Sequence, residues 1–219
     1  MEVLYEDNHL LVVYKDRGIL AQADGSSKPD ILTLSKLYLK EKYQKPGNVY
    51  LGLVHRLDIN TEGIMVLART SKAASRLSED IKNNLFSKRY LAVVEGRVNK
   101  GVITSFLAKD EVKKISYISK DGKYARLSYK SLLEKEIEGT LVTICDIILE
   151  TGRFHQIRCQ FQSIGHPLYG DKKYGSKNQA LYPTLQAYQL SFRHPVTKEN
   201  LTFTKLDNKG YFKGVEAFL

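Results

Sequence analysis

The sequence contains no tryptophan and, in 219 residues, only two cysteines, two methionines and five prolines. Cys145 and Cys159 stand apart in apolar patterns, which leaves no basis for a disulfide framework or a cysteine metal knuckle and fits a reducing cytoplasm. No apolar run approaches the roughly 20 residues of a membrane-crossing helix. The start, Met1-Glu-Val-Leu-Tyr-Glu-Asp7, is acidic and lacks the basic-then-apolar layout of a secretion signal. His9, His55, His155, His166 and His194 include no His-x-x-x-His pair for a metal. The Gly-x-Ser-x-Gly elbow of a serine hydrolase, the Gly-Lys-Ser/Thr ending of a phosphate loop and a dinucleotide fingerprint are also missing.

What is abundant is positive charge. Lys and Arg number 34 against 24 acids, a net charge of +10, which favours a polyanionic partner through counterion release. The 14 tyrosines add stacking surface, although most tyrosines in folded proteins are packing residues.

Leu10–Tyr14, Ile64–Ala68 and Tyr90–Val94 read as buried strands,. Residues 30–43 read as an amphipathic helix with Asp30 at its cap and Leu34, Leu37 and Tyr38 on its apolar side; a second helix runs from an N-cap at Ser71 to about Phe86,. Val102–Leu107, Ala125–Leu133 and Leu141–Leu149 follow as strands divided by Lys- or Gly-containing connections,. His155–Ile164 has helical spacing, Gln189–Phe192 and Leu201–Thr204 are further strands, and a short helix closes the chain. This order predicts an α+β fold with a mixed, largely antiparallel sheet and flanking helices. With no composition break and no repeat, residues 1–219 are expected to form one domain.

Candidate chemistry concentrates in four places. In Leu53-Val-His-Arg-Leu-Asp-Ile-Asn-Thr-Glu-Gly63, Asp58 lies two residues after Arg56 in a turn-forming context beside a buried strand. Taken alone, such an aspartate most often caps its own turn. The catalytic reading requires an ionised carboxylate with a cation nearby, either Arg56 or a more distant arginine. Thr151-Gly-Arg-Phe-His-Gln-Ile-Arg158 joins a strand to a helix, where backbone N–H groups and basic side chains meet anions,. The third is the Gly- and Lys-rich loop Gly165–Gly175, and the fourth the strand Lys88–Gly96 carrying Tyr90. A surface loop and a core tyrosine are the ordinary readings of those two.

Together and in this order, these segments resemble the RluA-type pseudouridine synthase family. The family's His-Arg-Leu-Asp then Thr-Ser-Gly is matched by His55–Asp58 and Thr61–Gly63, and its Lys-x-Tyr-x-Ala by Lys88–Ala92. Gly152–Arg158 matches Gly-Arg-x-His-Gln-Ile-Arg, and Gly165–Gly175 matches Gly-x-Pro-x-x-Gly-Asp-x-x-Tyr-Gly. The resemblance spans nearly the whole chain.

The resemblance implies isomerisation of specific uridines in ribosomal or transfer RNA to pseudouridine, with no cofactor and no metal. It assigns Asp58 as the catalytic carboxylate and Tyr90 as the residue that packs on the uracil. Arg158 is implied to pair with the catalytic carboxylate, and Arg56 to fill the space left by the flipped uridine. RNA is the implied partner, with no membrane, and a cytoplasmic monomer is expected. The small N-terminal RNA-binding domain of many relatives is expected to be absent. Affinity is then expected from the basic surface, with Lys109, Lys113, Lys114, Lys120 and Lys123 as candidate RNA contacts, or from a partner,. A glycoside hydrolase would require paired carboxylates, and only Glu62 accompanies Asp58.

The chain departs from the family pattern at several points. Glu62 stands where Ser is usual; pointing inward it would raise the pKa of Asp58, and it is expected to point outward. Phe154 replaces Thr, Gln160 replaces a common His, and Lys15-Asp-Arg-Gly18 lacks the usual Lys-Pro.

Overall fold

The structure is a computed structural model describing residues 1–207 and 210–219. Its backbone forms two compact units, one of residues 1–86 and 189–205, the other of residues 87–188 and 206–219.

The first unit is organised on two apolar strands, β2 (Leu10–Lys15) and β4 (Glu62–Ala68). They pair antiparallel from Leu10↔Ala68 to Lys15↔Gly63. Every residue of β2 is buried, and each fully buried aliphatic side chain contributes about 1.5–3 kcal/mol. β1 (Glu2–Glu6) flanks β2, and the short β3 (Gly52–Leu53) pairs with β4. Leu10, Val12, Ile64 and Val66 pack with Leu77, Phe86 and Phe192 into one core.

Helix α1 (Ile31–Lys42) begins at Asp30, whose side chain accepts from Thr33 N at 2.9 Å. Its buried stripe is Ile31, Ser35 and Leu39, while Leu37 is exposed; spacing of four selects this face rather than Leu34, Leu37 and Tyr38. Helix α2 (Ser71–Lys82) is capped by Thr70 instead of Ser71. Thr70 has the extended backbone an N-cap requires, and its hydroxyl accepts from Ala73 N at 3.1 Å,. The helix ends before Asn84, which has a positive φ of 56°, so it stops short of Phe86.

The second unit holds β5 (Ser87–Glu95), β6 (Lys100–Asp110), β7 (Ile115–Ile118), β8 (Lys123–Ile137) and β9 (Thr140–Leu149). These run in the order β5-β9-β8-β6-β7, each paired antiparallel with its neighbour. β8 and β9 are joined by Glu138-Gly139 with φ of 48° and 76°, the doubly positive pattern of a tight hairpin. Helix α3 (Gln156–Ser163) follows β9. The strand β10 (Leu185–Arg193) crosses the division between Tyr188 and Gln189 and pairs with β11 (Asn200–Thr204) in the first unit. The expected terminal helix is two short 3-10 turns, Gly210–Phe212 and Val215–Phe218. They place Phe212 and Val215 against Leu91, Val93 and Ile144. Among the described residues, three α-helices and largely antiparallel strands make this an α+β fold, as expected.

Candidate active site

The first unit carries Arg56 and Asp58 on the irregular segment between β3 and β4. The turn Asp58–Thr61 is closed by backbone, with Thr61 N–H donating to Asp58 O at 3.0 Å. It is then tied to the end of β2. Gly18 N–H donates to Ile59 O at 2.9 Å, and the Lys15 ammonium reaches the same carbonyl at 3.3 Å. On the other side, His55 Nε2 accepts from Val66 N at 3.0 Å, fixing the segment to β4 and placing the ring proton on Nδ1,. Leu57 is buried, whereas the Arg56 side chain is exposed. Gly63 adopts a φ of 140°, which only glycine takes without strain, so the chain can enter β4 directly from the turn.

Lys15 is the residue that sequence reasoning passed over. It is fully buried, and its Nζ donates to Ile19 O at 2.8 Å and Asp16 O at 3.2 Å as well as to Ile59 O. Burial pulls its pKa down to about 8, against the opposing charges of Asp58, Glu62 and Asp16,. A buried cation thus sits in the field of the candidate carboxylate. Glu62 is not turned to bulk water as expected. Its side chain is 13% exposed and its Oε1 accepts from Arg17 Nη2 at 3.0 Å. The guanidinium makes the covered position tolerable for a carboxylate.

The second unit carries Tyr90 and Arg158. Tyr90 lies on β5 opposite Ile147 of β9 and is 7% exposed. Lys88 precedes it on the strand, and burial lowers that amine's pKa. Next to Tyr90, Arg89 is paired with Asp146, which also accepts from Tyr188 OH at 2.9 Å.

Arg158 projects from α3 and is buried against Asp171. Its Nε and Nη2 donate to the two carboxylate oxygens at 2.6 and 2.8 Å, and the guanidinium lies 4.9 Å from the centre of the Tyr174 ring. Asp171 reaches this position from the Gly165–Gly175 loop because Gly170 has a φ of 84° and passes against Tyr182; a Cβ there would lie 2.1 Å from Tyr182 O. The two motifs singled out in the sequence therefore meet through this ion pair.

His155, the N-cap of α3, takes the left-handed conformation with a φ of 48°. Its Nδ1 is 3.1 Å from Tyr174 OH, which accepts from Ser116 N at 2.6 Å. Burial, then the charges of Arg158, Lys173 and Lys109, push its pKa down to about 3. That shift favours the neutral imidazole, which shares its Nδ1 hydrogen bond with Tyr174 OH,. Gln156 secures the junction: its Oε1 accepts from Thr151 Oγ1 at 2.8 Å and Arg153 N at 3.0 Å, and its Nε2 donates to Arg126 O at 3.1 Å. Gln160 donates to Ser105 Oγ at 2.9 Å and to the carbonyls of Ile103 and Ala125, a packing role within the unit.

Among the described residues, no group of three or more His, Cys, Asp or Glu side chains is arranged to hold a metal ion. None of their helices is long and apolar enough to cross a membrane.

Residues 9–163 match the family model of RNA pseudouridylate synthases. A protein of Aquifex aeolicus (strain VF5) named as an uncharacterized RNA pseudouridine synthase is 33% identical, over 100% of this chain and 73% of its own length. The ribosomal large subunit pseudouridine synthase D of Zymomonas mobilis is 32% identical over 93% of this chain and 68% of its own. The dual-specificity RNA pseudouridine synthase RluA of Vibrio parahaemolyticus is 32% identical over 89% and 78%. Two solved human structures, of RNA pseudouridylate synthase domain containing 1 and domain containing 4, each have a TM-score of 0.75 at 22% identity. They cover 94% of this chain and 83% and 88% of their own, and they support the fold.

Fold and sequence together define an RNA pseudouridine synthase, an isomerase. Within that class the chain belongs to the RluA-type pseudouridine synthase family.

Proposed function

We propose that this enzyme converts specific uridines of ribosomal or transfer RNA to pseudouridine, with Asp58 as its catalytic carboxylate. The observation that carries the reading is the anchoring of the Asp58 turn. The turn that carries Asp58 is fastened through its own backbone, by bonds from Gly18 and Lys15 to Ile59 O. The buried Lys15 ammonium lies in the field of Asp58, which supports a pre-positioned carboxylate. The reaction cleaves the bond from the sugar to the uracil nitrogen, turns the base, and forms a carbon–carbon bond to the same sugar. The base carbon loses a proton and the freed nitrogen gains one, so there is no net redox change.

Three further residues take the roles that the family resemblance assigns. Tyr90 packs on the uracil and assists removal of the carbon-bound proton. Arg158 supplies the cation that serves the reacting carboxylate, its guanidinium plane set by Asp171. Arg56, exposed and flexible in length, occupies the space vacated by the flipped nucleotide, whose unstacking costs a few kcal/mol. The ribosomal and dual-specificity relatives support a structured RNA as substrate. The enzyme works as a cytoplasmic monomer, and its basic surface provides the affinity.

The test is a pseudouridine map of total RNA from cells with and without the protein, followed by in vitro restoration of the missing sites. Sites that vanish and are restored by wild type but not by Asp58→Asn support the proposal. No missing site in any RNA would contradict it.

A further inference from the structure

Glu62 sits four residues from Asp58, and an uncompensated carboxylate there would favour protonation of Asp58. The structure provides the compensation. Arg17 follows β2, Glu62 opens β4, and their side chains bond at 3.0 Å just beyond the last strand pair, Lys15↔Gly63. The Asp58–Thr61 turn is fastened to the same 15–19 stretch by Gly18 and Lys15. The side chains at 28% and 13% exposure are mostly covered, so the pair is shielded far more than a surface ion pair. Arg17 and Glu62 thus form a charge-neutral pair beside Lys15, whose ammonium lies in the field of both Asp58 and Glu62.

We propose that Arg17 and Glu62 are positioning residues for the uridine-isomerising carboxylate, acting as a matched pair that clamps the Asp58 turn and keeps the local charge balanced. The inference rests on the reading of Asp58 as catalytic. Neither residue touches substrate. Their effect falls on the rate of conversion and not on RNA affinity.

The pairing makes an asymmetric, testable pattern. Arg17→Ala takes this guanidinium away from the covered Glu62 carboxylate, whereas Glu62→Ser takes this anion away from a covered guanidinium. Arg17 Nε is already buried without a hydrogen-bond acceptor, so that loss is not made good by another contact. Removing both restores the balance.

The experiment is a single-turnover assay with enzyme in excess over total RNA from cells lacking the protein. It reads pseudouridine formation for wild type, Arg17→Ala, Glu62→Ser and the double variant, with RNA affinity measured in parallel. The expected result is a rate reduced roughly tenfold or more by Arg17→Ala and less by Glu62→Ser. The double variant returns to within about threefold of wild type, and affinity is unchanged throughout. A wild-type rate for Arg17→Ala, or a double variant as slow as the product of the singles, overturns the proposal. Should Arg17→Ala fail to fold, the double variant decides: folded and fast supports the pair, unfolded or slow refutes it. Asp58→Asn is run alongside. An active Asp58→Asn removes the underlying assignment, while an inactive one combined with additive Arg17 and Glu62 effects removes this inference alone.

Discussion

Arg158 and Asp171 form a two-pronged ion pair, with 2.6 and 2.8 Å bonds between groups that are 6% and 1% exposed. The pair joins the helix after the Gly-Arg-x-His motif to the Gly165–Gly175 loop, so the position of one motif sets the orientation of the Arg158 guanidinium in the other. A buried ion pair of this kind adds little net stability, yet removing one partner strands a charge in a low-dielectric site.

Asp171→Ala is therefore expected to destabilise the fold by about 3–5 kcal/mol and to slow conversion by freeing the Arg158 guanidinium. Denaturant unfolding and the single-turnover rate, measured on the same preparations, check both parts. Unchanged stability would mean that the pair is not buried in solution.

His155 gives a pH dependence whose sign can be worked out. Its pKa in the folded protein is near 3, against 6.5 for a free histidine. Between those values the unfolded chain binds a proton that the folded chain does not. Stability from this group is complete above about pH 6.5 and is lost as pH falls toward 3, by on the order of 2–4 kcal/mol. His155→Gln should flatten the stability curve across that window in equilibrium unfolding. An equally steep curve would show that His155 is not the group responsible.

Lys15→Met removes a buried ammonium from three carbonyls, those of Asp16, Ile19 and Ile59. Ile59 O keeps its bond from Gly18 N–H, so the carbonyls of Asp16 and Ile19 carry the loss, roughly 1–3 kcal/mol for each buried acceptor left without a donor. The Lys15–Ile59 contact anchors the Asp58 turn. The variant should lose about 2–4 kcal/mol of stability and at least tenfold in rate. Thermal melts and kinetics provide the comparison, and a variant with wild-type rate would detach Lys15 from the site.

RNA affinity is expected to fall linearly with the logarithm of salt concentration. Replacing Lys109, Lys113 and Lys114 by Ala should reduce the slope by ~2, since each lost phosphate contact removes roughly 0.7–0.9. Lys109 lies over the Phe154 ring at 4.9 Å, within reach of the motif that carries Arg158. A filter-binding series across salt concentrations measures the slope. An unchanged slope would exclude this surface as an RNA contact.

Much of this architecture was legible in the sequence because long apolar runs such as Leu10–Tyr14 and Ile64–Ala68 leave few alternatives. β7 escaped notice because four residues beside Lys113 and Lys114 carry little periodicity. The length of β8 was hidden by the Glu138-Gly139 hairpin, whose strands continue to within a residue of the turn. Within the site, motif order pointed to Asp58, Tyr90 and Arg158, yet Lys15 was passed over because lysines are rarely buried. The Arg158–Asp171 pair spans 13 positions and depends on a tight passage at Gly170, which no local pattern specifies. Glu62 was expected to face water, since its partner Arg17 is 45 positions away and reaches it only through the β2–β4 pairing.

The central claim is that Asp58 carries the chemistry. The most direct measurement is pseudouridine formation by Asp58→Asn on RNA from cells lacking the protein, with folding and RNA binding confirmed for the variant. The account predicts a variant that folds and binds RNA like wild type and makes no pseudouridine. Formation of pseudouridine by that variant, at the same uridines as wild type, would contradict it.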